Sequence, residues 1–283
     1  MPLVIATASI LSAAGLIFLI YSVALMPNTN RKNEMLHFQN YRYAHRGLHG
    51  ENAPENSLSA FKKAMDAGYG IELDVRLSKD GELVVFHDDS LGRMTGVCGN
   101  VNEYSKDELA NMRLLGSGEG IPTLDEVLAL VNGSVPLLVE IKEARGSLAV
   151  TERLCQRLKS YTGEYIIESF NPFALKEVRK RLPSAIIGIL SEHFTVNNNR
   201  RTPMFYLLQS MLLNILSRPD FVAYNHNHQK YLPFRLARSF GCVCLAYTVK
   251  SEQEEKEALK SNFDGVIFEG YTPDSPYING KQI

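Results

Sequence analysis

From Tyr41 onward the chain alternates short apolar runs with helix-forming stretches, and no other feature narrows its fold so far. Runs at 41–45, 70–75, 82–87, 136–141, 165–169, 185–190, 220–224, 242–248 and 265–268 read as strands. Stretches at 57–67, 124–130, 147–160, 172–181, 203–216, 232–239 and 251–260 read as helices. Alternation of this kind builds a parallel sheet with helices packed outside it. About eight such units in about 240 residues are what a (β/α)8 TIM barrel needs. One strand is surplus. Only eight residues separate Asp74 from Leu83, too few for a crossover helix, and Lys79-Asp80-Gly81 reads as a turn. The two runs are therefore either a hairpin or the ends of an extended strap. A second departure is the glycine-rich stretch at 89–122, a loop long enough to have a function of its own.

Four blocks inside this pattern carry chemistry. They are Tyr43-Ala44-His45-Arg46-Gly47, Ala53-Pro54-Glu55-Asn56-Ser57, Gly70-Ile71-Glu72-Leu73-Asp74-Val75 and Leu83-Val84-Val85-Phe86-His87-Asp88. Glu72 and Asp74 are one residue apart, so on a strand both point to the same face. Two such carboxylates repel and are costly to bury unless a cation lies between them, which suits a hard divalent ion bound through oxygen. His45 and His87, at strand ends on either side, suit a general acid and a general base.

These blocks, in this order and spacing, resemble the glycerophosphodiester phosphodiesterases, within the phosphatidylinositol-phospholipase-C-like phosphodiesterase barrels. Glu140-Ile141-Lys142, Ser169-Phe170-Asn171, Tyr247-Thr248-Val249 and Asp264-Gly265-Val266 fit the same pattern, so the resemblance covers about residues 41 to 273. It implies a (β/α)8 barrel with a small insertion at about 89–122 that overhangs the site. It also implies metal-dependent hydrolysis of glycerophosphodiesters to glycerol phosphate and an alcohol, with His45 and His87 as the acid–base pair. One divalent cation, Ca²⁺ or Mg²⁺, would be held by Glu72, Asp74 and Glu140. Arg46 and Lys142 would grip non-bridging phosphate oxygens, Asn56 would bond ligand, metal water or backbone, and Tyr247 would wall the substrate pocket. Departures from the family lie around that pocket: Tyr247 stands where tryptophan is common, in a chain with no tryptophan, and Phe268-Glu269 replaces a frequent Thr-Asp. Two other readings are a lysophospholipase-D-like hydrolase of lipid phosphodiesters and a catalytically inactive binding module. The complete His45, Arg46, Glu72, Asp74, His87 and Glu140 set argues against the second.

Thirty basic and 31 acidic residues leave a net charge of −1, which gives no footing to a nucleic-acid partner. Cys98, Cys155, Cys242 and Cys244 have no metal spacing, and the alternating pair at 242 and 244 is poorly placed to bridge, so reduced thiols are expected. Residues 1–30 hold no Asp, Glu, Lys or Arg, and Leu3 to Met26 is long enough as a helix to span a bilayer core. That predicts a transmembrane anchor at 1–30, a polar tether at 31–40 and a barrel at 41–283. Arg31, Lys32 and Arg42 after the span place the catalytic domain on the cytoplasmic side of a single-pass protein. The alternative is a cleaved signal peptide and export.

Overall fold

The computed structural model describes residues 2–144, 146–199 and 201–278. Eight parallel strands follow one another around a closed barrel. They are β1 (Arg42–Ala44), β2 (Gly70–Leu77), β4 (Leu137–Ile141), β5 (Tyr165–Ser169), β6 (Ile186–Ser191), β7 (Phe221–Asn225), β8 (Val243–Val249) and β9 (Gly265–Phe268). Closure comes from β1, which pairs with β9 on one side and β2 on the other. The surplus run is β3 (Leu83–Val85). It pairs antiparallel with β2 through Val75↔Val85, Arg76↔Val84 and Leu77↔Leu83, so the hairpin is what forms.

Alternation along the strands separates two cores. Tyr43, Leu138, Ile166, Ile186, Leu190, Phe221, Ala223, Leu245 and Ile267 fill the barrel interior. Their neighbours in sequence, such as Ile71, Val139, Ile167, Ile187 and Val222, pack outward on the helices. Gly188 is required by this filling, because a Cβ there would lie 2.1 Å from the Phe221 ring. The helices begin where their sequences offer caps. Ser57 accepts from Ala60 N–H at the start of Leu58–Asp66, and Thr123 closes a capping box with Glu126 at Leu124–Val131. Residues 89–122 build short helices over a small core of their own, in which Phe86, Leu91, Met94, Leu109 and Ile121 meet.

The amino-terminal segment differs from its sequence reading. Pro2–Leu25 is helical, yet among the described residues no helix is long and apolar enough to cross a membrane. This overturns the expected single-pass membrane location and the topology drawn from Arg31, Lys32 and Arg42. The last turn read as part of the span is instead packed on protein. Ala24 and Leu25 are buried, the Tyr21 hydroxyl donates to Ser210 O at 2.8 Å, and Asn28 N–H donates to Pro219 O at 3.0 Å. The polar stretch that follows is a helix, Lys32–Gln39, rather than a tether. Its Met35 is fully buried and, with Phe38, packs against the interior cluster at the end of the barrel where the strands begin.

Candidate active site

Successive strands bring carboxylates to one rung near the carboxyl end of the barrel, where barrel enzymes place their chemistry. Parallel register sets Asp74 beside Glu140 and Glu140 beside Glu168, with Glu72 one inward position earlier on β2. All four are buried. Glu72, Asp74 and Glu140 each offer an oxygen to a common point, the three lying within 4.8 Å of one another. Burial, then mutual repulsion with Asp74, Glu140 and Glu168, pushes Glu72 well above the usual carboxylate range. Glu140 is pushed up to about 7 by burial, although Lys142 opposes the shift. Burial would raise Asp74 too, but Lys142, His87 and Arg46 outweigh it and hold that group below the ordinary range.

Two cations face this cluster. Lys142 Nζ lies 2.6 Å from Glu140 Oε1 and 3.2 Å from Asp74 Oδ1. The second contact lacks hydrogen-bond geometry, so Asp74 Oδ1 is buried without a hydrogen-bond partner. Arg46 places Nε 3.4 Å from Asp74 Oδ2 and Nη1 2.8 Å from Glu55 Oε1. Its backbone is left-handed, φ 54°, a strained setting for an arginine. That conformation accompanies an N–H donated to Glu72 Oε2 at 2.8 Å. Asn56, also left-handed at φ 56°, turns its Nδ2 to Asp74 Oδ2 at 2.8 Å. At 1% exposure it sits behind the carboxylate and holds it in place.

Each histidine is backed by a carboxylate. His45 Nδ1 lies 3.0 Å from Glu269 Oε2, and its Nε2 faces Glu72 Oε2 at 3.9 Å. His87 Nδ1 lies 2.6 Å from Asp88 Oδ1. Burial lowers both imidazoles below their ordinary value, against the pull of these partners. The bond to His45, more than the opposing burial, draws Glu269 down to about 2. Asp88 is held in turn by Arg93 Nε at 2.6 Å, and Arg93 also reaches Glu55. Tyr247 stands across the mouth from the acidic rung, its hydroxyl donating to Ser191 O at 3.0 Å and its ring edge-on to Phe170.

The residues singled out in the sequence therefore converge on one mouth. Sequence reasoning missed Glu168, whose Oε2 is buried without a partner, and left the role of Glu269 open. Glu168 carried a readable signal: a lone acid in the apolar run Tyr165-Ile166-Ile167-Glu168, the same pattern that marks Glu140 in Leu137-Leu138-Val139-Glu140.

Fold and mouth together define a barrel enzyme with its polar machinery at the carboxyl ends of the strands. The chain belongs to the Glycerophosphoryl diester phosphodiesterase family, whose sequence model matches residues 45–270. It is 34% identical over 238 residues to a glycerophosphodiester phosphodiesterase of Caldanaerobacter subterraneus subsp. tengcongensis, covering 79% of this chain and 91% of that one. Among solved structures, a phosphodiesterase of Oleispira antarctica in complex with the product sn-glycerol-3-phosphate superposes with TM-score 0.69 at 24% identity, over 82% of this chain and 94% of that one. A glycerophosphodiester phosphodiesterase of Thermotoga maritima gives TM-score 0.64 at 27% identity, over 82% and 95%.

Proposed function

We propose that this protein hydrolyses glycerophosphodiesters to glycerol phosphate and an alcohol, using one divalent cation, Ca²⁺ or Mg²⁺, held by Glu72, Asp74 and Glu140. The observation that carries the reading is the convergence of those three buried carboxylates directly beneath His45. Their donor set fits a hard cation: all oxygen, acid-rich, and including the buried Asp74 Oδ1 without a hydrogen-bond partner. When bound, the cation supplies charge stabilisation to the phosphorane-like oxygens.

The chain's own groups divide the remaining work. Arg46 and Lys142, fixed by Glu55 and Glu140, present positive charge to the non-bridging oxygens. One imidazole takes the proton of the attacking water as the P–O bond to the hydroxyl forms. The other gives a proton to the departing alkoxide as the ester P–O bond breaks. Glu269 and Asp88 hold the two rings with Nδ1 turned away from the reacting atoms, leaving Nε2 free for proton transfer. Asn56 acts behind Asp74 and positions it. The lipid-directed alternative drew on the amino-terminal run, the apolar stretch at 204–216 and Tyr247, and it loses the first of these supports because among the described residues no helix is long and apolar enough to cross a membrane.

The test is release of choline from sn-glycero-3-phosphocholine by protein dialysed against chelator, with and without added Ca²⁺ or Mg²⁺. Turnover should vanish in chelator and return with the cation. Full activity in excess chelator would remove the metal from the reading.

A further inference from the structure

A second group of metal-capable side chains lies at the seam where the barrel closes. β1 and β9 run side by side with Ala44 paired to Phe268, so the residues that follow them, His45 and Glu269, leave the sheet together. His45 N–H donates to Phe268 O at 2.9 Å, and Glu269 N–H donates to Val249 O at 2.9 Å. After His45 the chain reverses through two left-handed residues, Arg46 at φ 54° and Gly47 at φ 80°. The turn is pinned, since a Cβ on Gly47 would lie 2.8 Å from the Ala60 carbonyl carbon, and Leu48 N–H donates to Ala60 O at 3.0 Å. This reversal returns His49 to Glu269.

Glu269 then stands between two imidazoles. Its Oε2 lies 3.0 Å from His45 Nδ1, and its Oε1 lies 3.8 Å from His49 Nε2. One ligand atom from each of the three residues falls within 4.8 Å of the others. Around a tetrahedral zinc ion, with bonds of about 2.0–2.1 Å, ligand atoms sit about 3.3 Å apart, so small side-chain rotations would close the set. Side-chain exposures of 16, 21 and 26% leave the group open to solvent on one side, where water would complete the coordination. Lys250, whose Nζ is 3.8 Å from Glu269 Oε2, is 63% exposed and can turn away. These donors differ in kind from the all-oxygen cluster of Glu72, Asp74 and Glu140. Two imidazole nitrogens and one carboxylate suit zinc and its transition-metal neighbours better than Ca²⁺ or Mg²⁺.

We propose that His45, His49 and Glu269 form a site for Zn²⁺ or a similar transition-metal ion, and that filling it switches the enzyme off. Binding stands on the geometry alone, whereas the switch rests on the proposed role of His45 in proton transfer. A cation on Nδ1 replaces the hydrogen bond to Glu269 and fixes the ring's remaining proton on Nε2, the nitrogen that faces Glu72. In that tautomer Nε2 has no lone pair with which to take a proton from water, and the metallated ring holds its own proton tightly. The ion that Glu72, Asp74 and Glu140 would hold stays in place, because the two sites use opposite edges of one imidazole.

The experiment titrates the full chain with Co²⁺, read by visible absorption, with Ca²⁺ or Mg²⁺ in excess throughout. It also follows hydrolysis of sn-glycero-3-phosphocholine against added Zn²⁺. Wild type, His49→Gln and His49→Ala are compared, each against its own rate without Zn²⁺, and a melting curve checks each fold. The Co²⁺ spectrum of the wild type should be lost in both variants, and the Zn²⁺ concentration for half-inhibition should rise at least about tenfold. Equal spectra and equal inhibition in wild type and folded variants overturn the site. A Co²⁺ signal that depends on His49 while Zn²⁺ leaves turnover untouched overturns the switch, and with it the proton-transfer role of His45. A wild type that hydrolyses no diester before Zn²⁺ is added overturns the proposed function and the switch, and the Co²⁺ titration still decides the site.

Discussion

His45 and His87 share a design at the residue scale: Nδ1 against a carboxylate and Nε2 towards the cluster or the open mouth. If both transfer protons, His45→Ala and His87→Ala should each lower kcat by about 10²-fold or more with the melting temperature kept. The double variant should lose far less than the product of the two, because the groups act on one transition state. Near-normal kcat in either single variant would make that histidine structural. Glu269 Oε2 meets His45 Nδ1, the ring nitrogen turned away from the carboxylate cluster, so Glu269→Gln should lower kcat by about tenfold and leave KM nearly unchanged. The sign of its pH effect is fixed. Glu269 raises the His45 pKa, so its removal should move the limb of the pH profile set by His45 to lower pH. A limb that stays in place would deny Glu269 a positioning role.

Elements deliver these residues in pairs, and the β2–β3 hairpin is the clearest case. Its register lets Phe86 N–H donate to Asp74 O, which carries His87 and Asp88 over the carboxylate cluster that β2 itself supplies. Gly92–Thr95 then closes back, and Arg93 clasps Asp88 and Glu55 at once. At 47% exposure this clasp contributes little stability, about 0–1 kcal/mol, but it orders two loops that carry site residues. Arg93→Ala should therefore lower kcat several-fold with almost no change in melting temperature, and added salt should lower kcat in the wild type but not in the variant, so that the gap between them narrows. An unchanged kcat would leave the clasp without a role in catalysis. The strands were legible because short continuous runs rich in Ile, Val and Leu between helix-forming stretches have few other uses, and Glu72, Asp74 and Glu140 stood out as acids inside them. Lys32–Gln39 was not legible: Met35 and Phe38 are three apart on one helical face, but polar neighbours hid the pattern. Glu269 was hidden differently. It stands just past the end of β9, where only the closure of the barrel brings its carboxylate to His45. The amino-terminal run misled for a third reason, since apolarity alone does not tell lipid from a protein surface, and Ala24 and Leu25 found the latter.

Across the whole molecule, the acidic rung couples stability to pH. Glu72, Glu140 and Glu168 all have raised values in the folded protein, so the stability they lend is complete below their unfolded value near 4.5. It is lost as pH climbs through the folded values, about 7 for Glu140. His45 and His87 are lowered, so their contribution changes only below about 6.5. Above about pH 6.5 these two histidines no longer change the balance, and Glu140, pushed up to about 7, contributes a slope of at most about 1.4 kcal/mol per pH unit. In chelator the melting temperature should fall across that window, and millimolar Ca²⁺ should flatten the fall by favouring the ionised carboxylates. A gap between the two curves that stays constant with pH would argue that no cation meets these groups. The same closed architecture has a consequence in time. β1 finds β9 only across the full circuit of the barrel, and His45 and Glu269 are 224 positions apart. A chain emerging from the ribosome shows β2 and its hairpin long before β9 exists, so the acidic rung is assembled while β1 still has a bare edge. Catalytic competence thus arrives last, with the final strand, and a nascent chain stalled before Gly265 holds the carboxylates of the site without the partner that orients its first histidine.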